Sequence, residues 1–192
     1  MKKLCLLIIA ISLLGGCARG AALITANSAS SRTDVFEELK GNSIAPQGYS
    51  ELRVTATLKT HKPGIFAAKD IHGTPDYRLL VNIDGQALLL RGRIQKENSE
   101  PTKLVDSEAG DGVRYRFNAE LRLKAGLHRV VVALPDDGIA VEREMDLAEG
   151  KNDLVLEPVY GIAPGKWGAG AASTNFREGI SGIRVMLNGR HQ

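Results

Sequence analysis

The hydrophobic and polar positions of this chain fall into three regimes. Residues 4–14 form an unbroken apolar-to-small run, Leu4 to Leu14, preceded by Lys2 and Lys3. Residues 18–50 show no sustained period, and Ala, Ser, Thr, Asn and Gly dominate from Gly20 to Thr33. From Glu51 onward, apolar residues recur at every second position, the period of a strand with one face buried. Leu52, Val54, Ala56 and Leu58 alternate with Arg53, Thr55, Thr57 and Lys59. The clearest stretch sets Val113, Tyr115, Phe117, Ala119, Leu121 and Leu123 against Arg114, Arg116, Asn118, Glu120, Arg122 and Lys124.

Turn chemistry divides this third regime into strands. His61-Lys-Pro-Gly64 ends the first, because proline donates nothing to a ladder, and Ile65 to Pro75 reads as a loop. Asp84-Gly85 joins Tyr77–Ile83 to Gln86–Ile94, and an Asp-Gly pair between apolar runs predicts a type I′ hairpin with positive φ at both central residues. Leu79-Leu80-Val81 and Leu88-Leu89-Leu90 are continuous runs, which predicts strands covered on both faces. Gln95 to Gly112 reads as a long surface loop. Further strands follow at Leu127–Leu134, Ile139–Leu147 and Leu154–Leu156, divided by Pro135-Asp-Asp-Gly138 and Glu149-Gly150. A Gly- and Ala-rich stretch, Gly161 to Gly179, holds Trp167, and a last strand, Ile183–Leu187, is expected to return to the sheet edge. Short strands with Gly-containing turns and almost no helical period predict an all-β, immunoglobulin-like antiparallel β-sandwich.

The first regime changes the picture of where this sandwich sits. A positive start, a short apolar run and small residues make a secretory signal, and the run is too short to span a bilayer, which takes about 20 apolar residues. It closes on Leu14-Gly15-Gly16-Cys17, which resembles the lipobox of bacterial lipoproteins. That resemblance implies cleavage before Cys17 and fatty acylation (palmitate-type chains) of this residue as the lipid attachment site. Ala18, rather than Asp, then implies the outer membrane if the host is Gram-negative. The chain accordingly divides into a lipoprotein signal peptide (1–16), a flexible tether with a short helix possible at Asp34–Lys40 (17–50), a β-sandwich (51–160), and a Gly/Ala-rich loop with a C-terminal strand (161–192).

Charge and cysteine content narrow the partners. Removal of residues 1–16 leaves 176 of the 192 residues and takes two of the 25 basic side chains, so 23 basic groups face 22 acidic ones. Near-neutrality carries no basic excess of the kind nucleic acid attracts. Cys5 leaves with the signal and Cys17 is acylated, so no thiol remains for a disulfide, thiolate zinc site or nucleophile.

Val81-Asn-Ile-Asp-Gly85, followed by Leu121-Arg-Leu-Lys-Ala-Gly-Leu-His128-Arg-Val-Val-Val132, is similar to the pattern of PEGA-type domains. These are small β-sandwich modules of bacterial surface proteins. The likeness covers roughly Tyr77 to Leu156, without the Pro-Glu-Gly-Ala signature and with a long insertion at Gln95–Gly112. It implies a PEGA-like sandwich, an envelope-binding or adhesion role, and a His128 that hydrogen-bonds backbone beside its glycine turn. Lys59-Thr-His-Lys-Pro-Gly64, Asn82-Ile-Asp-Gly-Gln86 and Pro158-Val-Tyr160 also resemble segments of proteobacterial envelope lipoproteins.

Motifs of catalysis do not emerge. His61, His72, His128 and His191 stand at no tight metal spacing, and no Gly-x-Ser-x-Gly elbow occurs. His61, Asp70 and His72 are near enough in sequence to converge on a divalent ion, although a solvated loop is the simpler expectation. Asp136 and Asp137 suit an acid/base pair less well than turn chemistry. No catalytic residue, metal or cofactor is therefore assigned. Arg114, Arg116, Arg122 and Lys124 form a basic stripe, and Glu142, Glu144 and Asp146 an acidic one, read as solvated faces with cross-strand ion pairs or, for the basic stripe, as a contact for an anionic envelope polymer. The expected role is a non-catalytic, membrane-anchored envelope lipoprotein with a structural or protein-binding function. The alternative is a carbohydrate- or peptidoglycan-binding surface module, though a single Trp167 offers little stacking platform.

Overall fold

A computed structural model describes residues 19–39, 46–63, 70–98, 108, 110–162, 176 and 178–192. Cys17, Lys69 and Trp167 lie outside the described residues. Two sheets face each other. The larger orders its strands β1 (Phe36–Glu38), β6 (Gly112–Lys124), β2 (Tyr49–Thr60), β9 (Gly150–Ile162), β10 (Glu178–Leu187) and β11 (Arg190–His191), with β5 (Arg93–Glu97) also on β6. The smaller orders β4 (Gln86–Arg91), β3 (Arg78–Ile83), β7 (Gly126–Leu134) and β8 (Ile139–Leu147). The all-β sandwich expected from the alternation is present, with one difference. β2 and β9 pair in parallel, Val54 opposite Leu154, because the chain crosses over from β8 in the other sheet before laying down β9.

The core lies between the sheets and is made by the alternation itself. Leu52, Val54, Ala56 and Leu58 of β2 and Val113, Tyr115, Phe117 and Leu121 of β6 meet Leu79, Val81 and Ile83 of β3 and Val130, Val132 and Leu134 of β7. The C-terminal strand returns to the sandwich, pairing Val185 with Leu156 and Met186 with Val155. At Asp84-Gly85 the hairpin takes φ of 48° and 93°, as the type I′ turn requires.

Three expectations are corrected. First, residues 19–38 are built into the domain rather than forming a tether. Residues 19–27 make a helix, α1. Its Gly20, Leu23, Ile24 and Asn27 turn inward at the i, i+3, i+4, i+7 spacing of an amphipathic helix. They face the outer side of the smaller sheet, where Leu80, Asn82, Val131 and Ala133 are buried. Asn82 Nδ2 donates to Asn27 O at 2.9 Å, and a Cβ on Gly20 would stand 2.6 Å from Gly138 O. Beyond α1 the chain straps one end of the sandwich. Ser31 N donates to Gly85 O at 2.8 Å, and Gln86 Oε1 accepts the N–H groups of Val35 and Phe36 at 2.8 and 3.1 Å.

Second, within the expected helix Asp34–Lys40, of which residues 34–39 are described, the chain forms strand β1 instead: Phe36 lies opposite Leu123 on β6. A seven-residue helix is marginal in isolation, and the ladder on offer satisfies its backbone better. Third, Leu88–Leu90 is not covered on both faces. β4 is the sheet's edge, α1 lies over its centre, and Leu89 is 51% exposed. Most of Gly161–Gly179 and much of Gln95–Gly112 lie outside the described residues, while Arg93–Glu97 continues as a strand, β5.

Candidate functional site

At the end of the sandwich where β2 finishes and β3 begins, four segments converge. His61 follows the last residue of β2, Asp70 and His72 come from the connection, and Tyr77 stands just before β3. Asp137 closes the 3₁₀ turn Pro135–Asp137 between β7 and β8. Local chemistry fixes the stretch from Ile71 to Asp76. Thr74 Oγ1 and N both donate to Ile71 O, at 2.7 and 3.1 Å, and Asp76 N donates to Thr74 Oγ1 at 3.2 Å. Gly73 adopts φ +76°, and a Cβ there would meet Pro63 Cδ at 2.5 Å. Only glycine lets this turn fold back on the end of β2. The core strand β6 holds it from beneath, as Tyr115 Oη donates to Thr74 O at 2.8 Å.

The polar groups form one continuous chain. His61 Nε2 lies 2.7 Å from Asp70 Oδ2, and His72 Nδ1 lies 2.7 Å from Asp70 Oδ1, which also accepts the His72 backbone N–H at 3.0 Å. His72 Nε2 lies 3.1 Å from Asp137 Oδ1, and Tyr77 Oη donates to Asp137 Oδ2 at 2.5 Å. The His61 and His72 rings are 4.8 Å apart at their centroids. All four side chains from His61 to Asp137 are shielded, with 14–28% of their surface exposed.

The electrostatics follow from this geometry. Burial works to raise the Asp70 carboxyl, but the hydrogen bonds from His61 and His72 outweigh it and hold the group at about 2. Burial opposes charge on His72, yet carboxylates at both ring nitrogens overcome it and raise the imidazole above its ordinary value. Asp136 is pushed up by burial and by the neighbouring Asp137. Tyr77 is pushed up by burial and then by Asp137, so it stays a hydrogen-bond donor. Among the described residues, no serine or threonine hydroxyl is hydrogen-bonded to either imidazole. What it offers is a pair of imidazoles converging on one carboxylate.

The solvated loop expected around His61, Asp70 and His72 is thus replaced by an ordered, interlocked cluster. Asp137, read from sequence as turn chemistry, lies 65 residues from His72, and Tyr77, read as the start of a strand, lies 60 from Asp137, so neither was placed in the cluster. His128 sits elsewhere. Its Nε2 lies 2.8 Å from Lys124 O, the backbone contact implied by the PEGA-like pattern, while Nδ1 lies 2.7 Å from Asp84 Oδ2. The two halves of that pattern therefore meet in space. His191 is exposed on β11.

The charged stripes are matched in part. Arg114 pairs with Glu97 and Glu108, both at 2.6 Å. Arg122 lies 3.9 Å from Glu51, and Arg129 pairs with Glu142. Arg116 and Lys124 remain exposed. No helix among the described residues is long and apolar enough to cross a membrane. Compared with protein families, curated proteins and solved structures, the chain matches none.

Proposed function

We propose that the protein is a non-catalytic, lipid-anchored component of the bacterial cell envelope, a β-sandwich held at the membrane by acylated Cys17 and serving a structural or protein-binding role. One observation carries the reading. Leu14-Gly15-Gly16-Cys17 ends a signal-like segment, and Arg19, two residues later and the first of the described residues, already belongs to α1. Two peptide units span at most about 7 Å, so the lipid would emerge directly from the domain. One acyl chain binds a bilayer marginally, whereas the two or more of a bacterial lipoprotein hold it.

The start of α1 lies against Gly138, next to the 3₁₀ turn that carries Asp137. In this reading the end of the sandwich bearing the histidine cluster is turned toward the lipid headgroups, and the opposite end, with the Asp84-Gly85 hairpin, is presented to partners. Intact-mass measurement of the mature protein tests the anchor. The expected mass is that of residues 17–192 plus diacylglyceryl and acyl groups, and Cys17→Ser is expected to shift the protein from the detergent phase to the aqueous phase in Triton X-114 partitioning. A mature N-terminus without added lipid mass would overturn the proposal.

A further inference from the structure

We propose that His61, Asp70 and His72 form a binding site for a divalent transition-metal ion of the zinc class. His61 Nε2, His72 Nδ1 and an Asp70 carboxylate oxygen would be the protein ligands, with Asp137 and Tyr77 as the supporting layer. This inference stands apart from the membrane anchor.

Three features of the geometry carry it. The candidate ligand atoms all lie within 4.8 Å of one another. In a tetrahedral site with bonds of about 2.0–2.1 Å, donor atoms stand roughly 3.4 Å apart, so the two imidazole–carboxylate pairs, now 2.7 Å apart, would open slightly while the more distant donor atoms draw in around the ion. The second feature is aim. The two imidazoles, with ten residues between them in the β2–β3 connection, turn different ring nitrogens, Nε2 and Nδ1, toward the same carboxylate. A solvated surface loop gives no reason for that convergence.

The third feature is the layer behind His72. A metal-bound histidine characteristically donates its remaining ring N–H to a carboxylate, which fixes the tautomer and aims the free lone pair at the metal. Here His72 Nε2 faces Asp137 at 3.1 Å, and Tyr77 holds the other oxygen of Asp137. Tyr77 is itself fully buried and packs against Tyr115, the rings tilted by 45° with centroids 4.9 Å apart. The arrangement therefore runs from a rigid aromatic core, through Asp137, to an imidazole whose Nδ1 points into the cluster.

Donor type selects the ion. Two imidazoles and a carboxylate suit zinc, cobalt, nickel or copper(II). Calcium and magnesium prefer all-oxygen shells, and among the described residues there is no cysteine to favour copper(I). Three protein ligands leave a coordination position for water, and exposures of 19–28% give the ion an entry path.

The test is zinc titration of the chelator-stripped full mature chain in detergent, by calorimetry and by competition with a chromogenic chelator. One ion per chain is expected, with a raised unfolding temperature in zinc, and cobalt(II) is expected to give the intense visible bands of a four-coordinate site. His61→Ala, the most exposed ligand and the one least coupled to folding, should weaken zinc binding at least tenfold. Asp137→Asn should weaken it about 10–100-fold without changing the stoichiometry. His191→Ala and Cys17→Ser should leave binding unchanged, so the result does not depend on the acylation state of Cys17. Binding that is absent, or that is equally tight in His61→Ala and Asp137→Asn, would overturn the proposal.

Discussion

Replacing Gly20 with alanine tests the integration of α1 into the sandwich, because two physical effects predict opposite signs. On helix propensity alone, alanine is favoured over glycine by about 1 kcal/mol. Against the sheet, the new Cβ would stand 2.6 Å from Gly138 O, well inside the ordinary contact range. That oxygen is backbone, in a turn held by the Gly138 N–H donating to Pro135 O at 3.2 Å, so the helix must give way rather than the turn. Overpacking of this kind costs about 1–3 kcal/mol. The net expectation is a loss of about 1 kcal/mol, or roughly 2–4 °C in Tm for a domain of this size.

The measurement is urea unfolding of the mature chain carrying Cys17→Ser, followed by far-ultraviolet circular dichroism. A double-mutant cycle with Asn82→Ala strengthens it. Asn82 is buried, donates to Asn27 O at 2.9 Å and accepts the Gly85 N–H at 2.9 Å, so its removal alone is expected to cost about 2 kcal/mol. If Gly20→Ala lifts the helix, part of that contact is already lost, and the two effects should fall short of additive by 0.5 kcal/mol or more, a coupling of the size expected for elements in contact. A Gly20→Ala protein at least as stable as its parent, with strictly additive behaviour, would refute the docking argument.

Two further outcomes are expected. Asp84→Ala removes the acceptor of the Arg129 N–H at 2.8 Å and of His128 at 2.7 Å, and it places a non-glycine residue with no compensating side chain at φ +48°. It should cost about 2–3 kcal/mol by urea unfolding, whereas Asp84→Asn, which tolerates that backbone, should cost less. Glu97 is held below its ordinary pKa, chiefly by the hydrogen bond from Arg114 at 2.6 Å and against the opposing effect of burial. Its folded value being the lower, its contribution to stability is present above the unfolded carboxyl pKa near 4.3 and is lost as pH falls through the folded value. Glu97→Gln should therefore be less stable than the parent at pH 7, and the gap should close in thermal melts taken toward pH 3.

Sheet strands were legible because a half-buried strand writes its environment into alternate residues. β6 buries Val113, Tyr115, Phe117, Ala119, Leu121 and Leu123 and turns the intervening residues outward, so composition and structure repeat one another along its length. The Asp84-Gly85 turn was legible for a similarly local reason, since only a few residue types tolerate positive φ in succession. α1 was not, although its spacing is regular. Two of its four inward residues are Gly20 and Asn27, chosen for close approach and for a hydrogen bond, so the stripe carries too little apolar character to register against an Ala- and Ser-rich background. A nine-residue helix owes its existence to the surface that receives it, and that surface is assembled from β3 and β7, more than fifty residues downstream.

The histidine cluster divides along the same line. His61, Asp70 and His72 share a short connection, so chain proximity alone brought them within consideration, but proximity cannot distinguish convergence from solvation. The distinction comes from residues that hold the connection in place. Gly73 admits the fold back onto Pro63, Thr74 is fastened by Tyr115 from the opposite sheet, and Asp137 arrives on the turn that also receives the start of α1. The last two of these contacts cross between segments that have no sequence neighbourhood. The same long-range contacts that order the loop also select which nitrogen of His72 is left to face Asp70. A polar cluster in a β-sandwich of this kind is therefore visible in sequence as residue types at one loop, while its geometry is decided by the strands beneath and by the turn on the facing sheet.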